Sequence, residues 1–279
     1  MRYVGAMRAP LAESVALVTG ASSGIGAEIA RLLAKRVRHL VLVARRKERL
    51  DKLADELRSD DLEVTVQPCD LTDRAALEGM LDAVQANVGT VDILVNSAGF
   101  GDMGMFDLAD WGKTERMIDV NVTALCYLTH RLVGPMVAQR RGGVLMISSG
   151  FGLAFLPGFA GYIGTKHFVT GFTESLRLDV KSRGVVVTQV CPGPVATEFE
   201  QNVGNFVGGH PQSFIEISAE RCAKAAVRAF ECGRAIVVPG VIVKIAMFLA
   251  AITPRWFLRL LYGPPAKWLR KTQEAADDA

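Results

Sequence analysis

The sequence predicts an α/β protein built on a doubly wound parallel sheet with helices on both faces. Two observations carry this. Short β-branched runs without polar alternation recur along the chain, separated by longer segments of helical period. A strand covered on both faces reads as a continuous apolar run, and joining parallel strands requires a helical crossover. The first such run also enters a helical segment directly through a glycine-rich turn, a transition common where open parallel sheets bind ligands at their carboxyl ends.

In order, SVALVTG (14–20) precedes the helical GIGAEIARLLAKR, and HLVLVA (39–44) precedes RRKERLDKLADELR. LEVTVQP (62–68) is followed by DRAALEGMLDAVQA, and VDILVN (91–96) by one long helical stretch over about 107–139. GGVLMISS (142–149), a helix over about 160–182, GVVVTQVCP (184–192), a helix over about 218–232 and AIVVPG (235–240) complete the series. The glycine-rich QNVGNFVGGHPQ (201–212) reads as a mobile loop suited to a lid.

Composition sets bounds on this reading. Of 279 residues 50% are hydrophobic and 22% charged, enough to bury a large core and too apolar for a disordered chain. We expect a main domain over 14–240, a lead over 1–13 and an amphipathic extension over 241–279. The formal charge is +3 with both signs interspersed, so no nucleic-acid partner is expected. Five cysteines form no CxxC pair and sit mostly in apolar runs, the pattern of reduced, buried thiols in a cytoplasm. The N-terminus lacks the apolar core of a signal peptide, and no run reaches the roughly 18 apolar residues of a membrane span. Four histidines, at 39, 130, 167 and 210, form no ligand-like group, and no metal is expected.

The turn TGASSGIG (19–26) supplies Gly20, Ser22, Ser23, Gly24, Ile25 and Gly26 between a strand and a helix N-terminus, the context of a dinucleotide fingerprint. Its spacing is G-x-x-x-G-x-G, and no Gly-Lys-Ser/Thr follows as in a P-loop. A purely structural glycine turn is the alternative. After the second strand stand Arg45 and Arg46, where an acid would hold the ribose hydroxyls of NADH and a cation would accept the 2′-phosphate of NADPH. NADP(H) is therefore the expected cofactor, with Arg45 the preferred contact, since Arg46 fits more readily into a solvated helix start. Asp70, with Leu71 beside it, is placed either to meet the adenine or to cap the next helix. The NSAG segment offers Asn96, Ala98 and Gly99 where a cofactor backbone could pass closely.

YIGTK (162–166) places Tyr162 and Lys166 four apart, on one face of a helix. An ammonium beside a phenol favours the phenolate, which would make Tyr162 a usable acid/base catalyst. Ser149 lies thirteen positions before the tyrosine and Asn121 lies in MIDVNVTAL. With TGxxxGxG, NxAG, Asn121, Ser149, YxxxK and CPGPVAT (191–197) in this order over about 14–240, the chain resembles the short-chain dehydrogenase/reductase family in its compact, Rossmann-type branch. The resemblance implies an oxidoreductase acting between CH–OH and C=O. In it Tyr162 exchanges the proton and Lys166 tunes it and binds the nicotinamide ribose. Ser149 orients the carbonyl, and Asn121 positions a water that links Lys166 to solvent. Pro192, Gly193, Val195 and Thr197 are implied as further cofactor contacts. Homodimers or homotetramers are common in the family.

Two departures are visible. Ser97 stands where a second asparagine is common, and Gly164–Thr165 replace Ala–Ser, at a cost of roughly 0.5–1 kcal/mol of helix stability for the glycine. The stretches expected to line the cleft (100–106, 151–161 and about 196–215) hold many Phe, Met and Leu but no Arg or Lys, which favours a hydrophobic ketone or aldehyde; core or subunit packing is the other use for such residues. The tail over 241–271 mixes apolar, aromatic and basic residues, and packing over the cleft, subunit contact and peripheral membrane docking are all open to it. The rival functions are an NADP(H)-binding regulator without turnover and an isomerase or epimerase of the same fold.

Overall fold

A computed structural model describes residues 8–198 and 215–277. Strand β1 (Val15–Thr19) pairs in parallel with β2 (His39–Ala44) on one side and β4 (Ile93–Asn96) on the other. Beyond β2 lies β3 (Glu63–Pro68); beyond β4 lie β5 (Gly142–Ile147), β6 (Val185–Val190) and the short β9 (Ile236–Val237). The seven-stranded order is β3-β2-β1-β4-β5-β6-β9, so the direction of winding reverses between β1 and β4. That switch point is where an open α/β sheet leaves a crevice at its carboxyl ends. A separate two-stranded ladder joins β7 (Val195–Ala196) to β8 (Ile217–Ser218).

The layers follow from strands buried on both faces. Ala16 and Val18 face a core made with α1 (Gly24–Ala34), α2 (Lys47–Leu57) and α7 (Ala219–Glu231), whereas Val15 and Leu17 face one made with α3 (Arg74–Asn87), α5 (Leu125–Gln139) and α6 (Ala160–Lys181). Helix starts are set locally. Asp73 accepts from the Ala76 amide at 3.0 Å, so Asp73 and not Asp70 caps α3. Ser218 accepts from the Arg221 amide at 3.2 Å to cap α7.

The single helix expected over about 107–139 is interrupted. A 3-10 turn at Phe106–Leu108 precedes α4 (Trp111–Ile118), which restarts behind the Asp110 cap; a π-helical turn at Asp119–Ala124 then leads into α5. Hydrophobic period does not distinguish one widened turn from a continuous helix, and such turns concentrate at functional sites. Two further helices follow the sheet, α8 (Val241–Ile252) and α9 (Arg255–Asp277), bent from one another by 118°. All five cysteines are free, and one of them, Cys232, is exposed where burial is the expectation for most. The loop expected at 201–212 lies outside the described residues.

Phe230 of α7 is fully buried, and its ring lies where a β-carbon on Gly143 of β5 would collide with it. Deleting that ring leaves a cavity between helix and sheet. Phe230→Ala should lower the free energy of unfolding by about 3–5 kcal/mol, read as a shifted urea midpoint at unchanged slope.

Candidate active site

The glycine turn after β1 is shaped by its own backbone. Gly20 and Gly24 have φ of 68° and 57°, the left-handed region that glycine adopts without strain. A β-carbon at Gly20 would run into the backbone of Ser97 and Ala98, so the turn packs directly on the end of β4. Thr19 makes this junction: its Oγ1 accepts from the Ser97 and Ala98 amides, both at 3.1 Å, and donates to the Val95 carbonyl at 3.2 Å. Ser97 thus occupies the junction through its backbone.

Helix α1 begins here without a side-chain cap and without an acid in its first turn. Its free N–H groups and positive dipole end suit an anion, and a pyrophosphate fits this cradle. The Ser23 hydroxyl is engaged elsewhere. Arg46 donates to Ser22 Oγ at 3.1 Å and Ser23 Oγ at 2.9 Å, and pairs with the Glu198 carboxylate at 2.8 Å, which Arg49 also binds. The two guanidinium groups hold the Glu198 carboxyl below the usual range, Arg49 having the larger effect. Arg45 and Arg46 are both exposed, and it is the Arg46 guanidinium that folds onto the glycine turn. Periodicity placed both at a helix start but did not reveal that the β2–α2 corner turns Arg46 back. Glu198 carried no signal in the sequence.

Around the crevice the remaining positions divide. Asp70 is exposed at the end of β3 and accepts from Thr72 through both its amide and its hydroxyl, at 3.0 and 2.9 Å. Leu71 is buried in the core. Asn96 donates to Thr129 Oγ1 at 3.0 Å, so its side chain points into the α5 interface and only its backbone faces the switch point. A β-carbon at Gly99 would come 2.9 Å from Asn121 Oδ1 and 3.5 Å from Lys166 Nζ, which puts these three side by side. Gly24 faces the Thr197 methyl across the crevice. Pro192 accepts from the Gly150 amide at 2.7 Å, tying the β6 end to the turn after Ser149, while Gly193 lies against Val243, Val195 is buried in β7 and Ile25 packs on the core.

The four chemistry-bearing side chains meet at the ends of β4 and β5. Asn121, in the π-helical turn, accepts from the Phe100 amide at 3.2 Å and donates to the Phe100 carbonyl at 2.9 Å and to Thr165 Oγ1 at 3.1 Å. Thr165 donates to the Tyr162 carbonyl at 2.7 Å, so Asn121 and Thr165 brace the YxxxK turn. Ser149 is hydrogen-bonded to Tyr162, whereas Ser148 is buried and lies 3.4 Å from the Lys166 carbonyl oxygen and Thr170. Lys166 is buried on the inner face of α6, its Nζ donating to the Ile147 carbonyl at 3.2 Å and lying 5.7 Å from the Tyr162 ring centre. His167 is exposed and turned away. Gly164 is also exposed, and a β-carbon there would meet nothing, so its effect is confined to helix propensity.

The electrostatics depart from a phenol acidified by its lysine. Burial pushes Tyr162 up to about 12, and the opposing influence is the hydrogen bond with Ser149. Burial also pushes Lys166 down to about 8, with Cys191 acting in the other direction. Desolvation disfavours whichever form is charged, so it keeps the phenol neutral and the amine close to its titration point near neutral pH.

The cleft beside Tyr162 is narrow, about 10 Å³, and is lined by Phe106, Met117, Gly158, Ala160 and Gly161 among others. It also contains Asp102 of the 100–106 stretch, neutralised at 2.5 Å by Lys113, which lies outside that stretch. Helix α9 covers this region. Gln273 Oε1 accepts from the Met105 amide at 2.7 Å, Leu269 abuts Gly158, and Arg270 grips Asp107 with bonds of 2.7 and 3.0 Å. The Tyr262 and Phe155 rings meet edge to face at 5.7 Å. Among the described residues no group of three His, Cys, Asp or Glu could hold a metal ion.

The short chain dehydrogenase model matches residues 14–207. The chain belongs to the short-chain dehydrogenase family. The putative oxidoreductase SadH of Mycobacterium tuberculosis is 33% identical over 264 residues, which cover 91% of this chain and 96% of that protein. A granaticin polyketide synthase putative ketoacyl reductase 1 of Streptomyces violaceoruber is 38% identical over 204 residues, 71% of this chain and 74% of the relative. Glycine betaine reductase ATRR of Emericella nidulans is 38% identical over 191 residues, 68% of this chain but only 15% of that much longer protein, so the likeness concerns one part of it. Among solved structures, a short-chain dehydrogenase from Sphingobium yanoikuyae in complex with NADPH superposes with a TM-score of 0.74 at 29% identity, covering 87% of this chain and 97% of the other. As a family member the protein is an oxidoreductase acting between CH–OH and C=O groups.

A lysine whose pKa falls on folding contributes stability at high pH that is lost as pH drops through its folded value. For Lys166 that window runs from its ordinary value of 10.5 down to about 8. Lys166→Met should therefore gain on the wild type by roughly 3 kcal/mol between the two ends of this window, read from urea unfolding of both proteins at each pH.

Proposed function

We infer that the protein is an NADP(H)-dependent oxidoreductase that interconverts a hydrophobic ketone or aldehyde and its alcohol. The observation that carries this is the hydrogen bond between Ser149 and a buried Tyr162, with Lys166 against the inner side of the ring and Asn121 beside it. The nicotinamide, when bound, supplies or accepts the hydride. The protein's own residues supply position and the proton. The Gly20–Gly26 turn and the α1 N-terminus would hold the pyrophosphate, Asp70, with the Leu71 backbone beside it, would meet the adenine, and Ala98, Gly99 and the Asn96 backbone would flank the ribose. Pro192, Gly193, Val195 and Thr197 border the opposite wall.

Tyr162 donates its proton to the carbonyl oxygen as the carbonyl carbon receives the hydride, and takes it back in the reverse direction. Ser149 orients the same oxygen and stabilises charge that develops on it. Lys166 would hold the nicotinamide ribose and restore the proton, and Asn121 would position a water between Lys166 and solvent. Burial keeps the phenol protonated, so Tyr162 carries the proton that reduction consumes.

Arg46 supports the phosphorylated cofactor. Its guanidinium, held at the glycine turn by Ser22 and Ser23, would give a 2′-phosphate a charge-assisted hydrogen bond, and the NADPH complex of the Sphingobium relative supports that choice. Glu198 competes for the same guanidinium, so it sets how strongly the phosphate is preferred. The substrate reading rests on Phe106 and Met117 in the cleft beside Tyr162, on Phe151 edge to face with the Tyr162 ring and on the neutralisation of Asp102 by Lys113; reduction of a ketoacyl group, the activity named for the Streptomyces relative, is of this chemical type.

Three outcomes test this. Arg46→Ala should weaken NADPH binding by about tenfold or more while leaving NADH unchanged, and Arg45→Ala should do little to either; equal losses for both cofactors would remove the 2′-phosphate argument. Glu198→Gln should tighten NADPH several-fold without touching NADH, measured by cofactor fluorescence titration. Tyr162→Phe should retain NADPH binding and lose roughly 10²–10⁴ in turnover against a panel of apolar carbonyl compounds.

A further inference from the structure

The largest feature that this chemistry leaves unused is the outer face of the α8–α9 pair. Eleven of the nineteen exposed large hydrophobic side chains among the described residues fall in residues 241–268. They are exposed because each helix is pinned by its opposite face. Val243 of α8 lies on Gly193 and Met247 on Gly150, while α9 turns Leu258, Tyr262, Leu269 and Gln273 inward at intervals of four, seven and four residues. What remains outward includes Phe248 at 64% exposure, Ile252 at 62%, Trp256 at 66% and Leu260 at 69%. So many large apolar side chains exposed within one helix pair exceed the scattered surface leucines of an ordinary monomer, and such a concentration marks something that covers it.

Charge decides between candidate covers. From 241 to 271 the sequence contains Lys244, Arg255, Arg259, Lys267, Arg270 and Lys271 and no acidic residue. Arg270 is taken up by Asp107 and Glu274; the other five form no ion pair among the described residues. A second copy docking by a two-fold axis would press this basic face onto itself, because such an interface uses the same patch on both subunits. An anionic bilayer is complementary to it in both respects. Apolar side chains enter the acyl boundary, tryptophans and the stems of Lys and Arg suit the headgroup level, and the cations meet lipid phosphate and carboxylate. Among the described residues no single helix is long and apolar enough to cross a bilayer; the two together have the length and composition, but a 118° bend separates them, and the cations and tryptophans along them suit the headgroup level.

We propose that the outer face of α8 and α9 docks the protein on the surface of a bilayer containing anionic phospholipid. Docking does not depend on the assignment of cofactor or substrate, since it uses the face turned away from the catalytic residues. The cavity of about 230 Å³ that lies between α8–α9 and Leu153–Phe155 would then sit close to the lipid.

The test is co-sedimentation of the full chain with phosphatidylcholine vesicles, with and without phosphatidylserine. Retention on the mixed vesicles is expected, at least roughly tenfold stronger than on phosphatidylcholine alone and reduced by added salt. The double variant Lys267→Glu, Lys271→Glu should weaken retention by about tenfold or more, and so should Trp256→Ser with Leu260→Ser. All four positions are exposed, so far-UV circular dichroism and nucleotide binding should be unchanged. Equal retention on both vesicle types, or retention that survives these substitutions, overturns the proposal. So does failure to bind either vesicle, and a dimer that Leu260→Ser dissociates would then assign the face to a second copy.

Discussion

A cation buried beneath a phenol is the constraint around which this structure is arranged. Helix α6 brings Tyr162 and Lys166 to the same inner face, and that face is packed against β5 and the π-helical turn. Burying an ammonium is costly unless polar groups meet it, and here the Ile147 carbonyl at the end of β5 accepts from it. The residual cost appears as a lysine that gives up its proton more readily than usual. An amine poised in this way can hand a proton along a chain, which a fully solvated lysine would do poorly at neutral pH.

The rest of the crevice serves that arrangement by bringing four strand ends close together. Thr19 fastens β1 to β4 through two amides, and Pro192 fastens the β6 end to the turn after Ser149. These ties leave little freedom in the distance between the glycine turn and Tyr162. Reacting groups need to be held within a few tenths of an ångström to gain from proximity, and strand ends in a seven-stranded sheet are stiff enough to do so. The C-terminal helices add a wall, with Gln273 and Arg270 reaching segments that border the cleft from more than 160 residues away in sequence.

Much of this was readable residue by residue. Strands were visible because both faces of each are buried, which removes polar alternation, and the glycine turn was visible because only glycine tolerates its φ values and close approaches. The spacing of YxxxK placed Tyr162 and Lys166 together because helical neighbours four apart share a face. Less was readable where geometry depends on a turn. The Asn96 side chain is committed to Thr129, which leaves only its backbone at the switch point, and Asp73 rather than Asp70 caps α3. The π-helical turn that carries Asn121 was invisible because a single inserted residue barely disturbs the hydrophobic period.

The sequence by itself determined the order of strands and helices, the winding of the sheet and the family to which the chain belongs, since each rests on local period and on motifs a few residues long. Only the tertiary structure decided which arginine meets the glycine turn, that Glu198 holds it there, and that the tail presses one face to the cleft and leaves the other bare. Those outcomes depend on which distant surfaces come into contact. A side chain's partner across 150 residues is set by the packing of whole elements, and no local pattern encodes it.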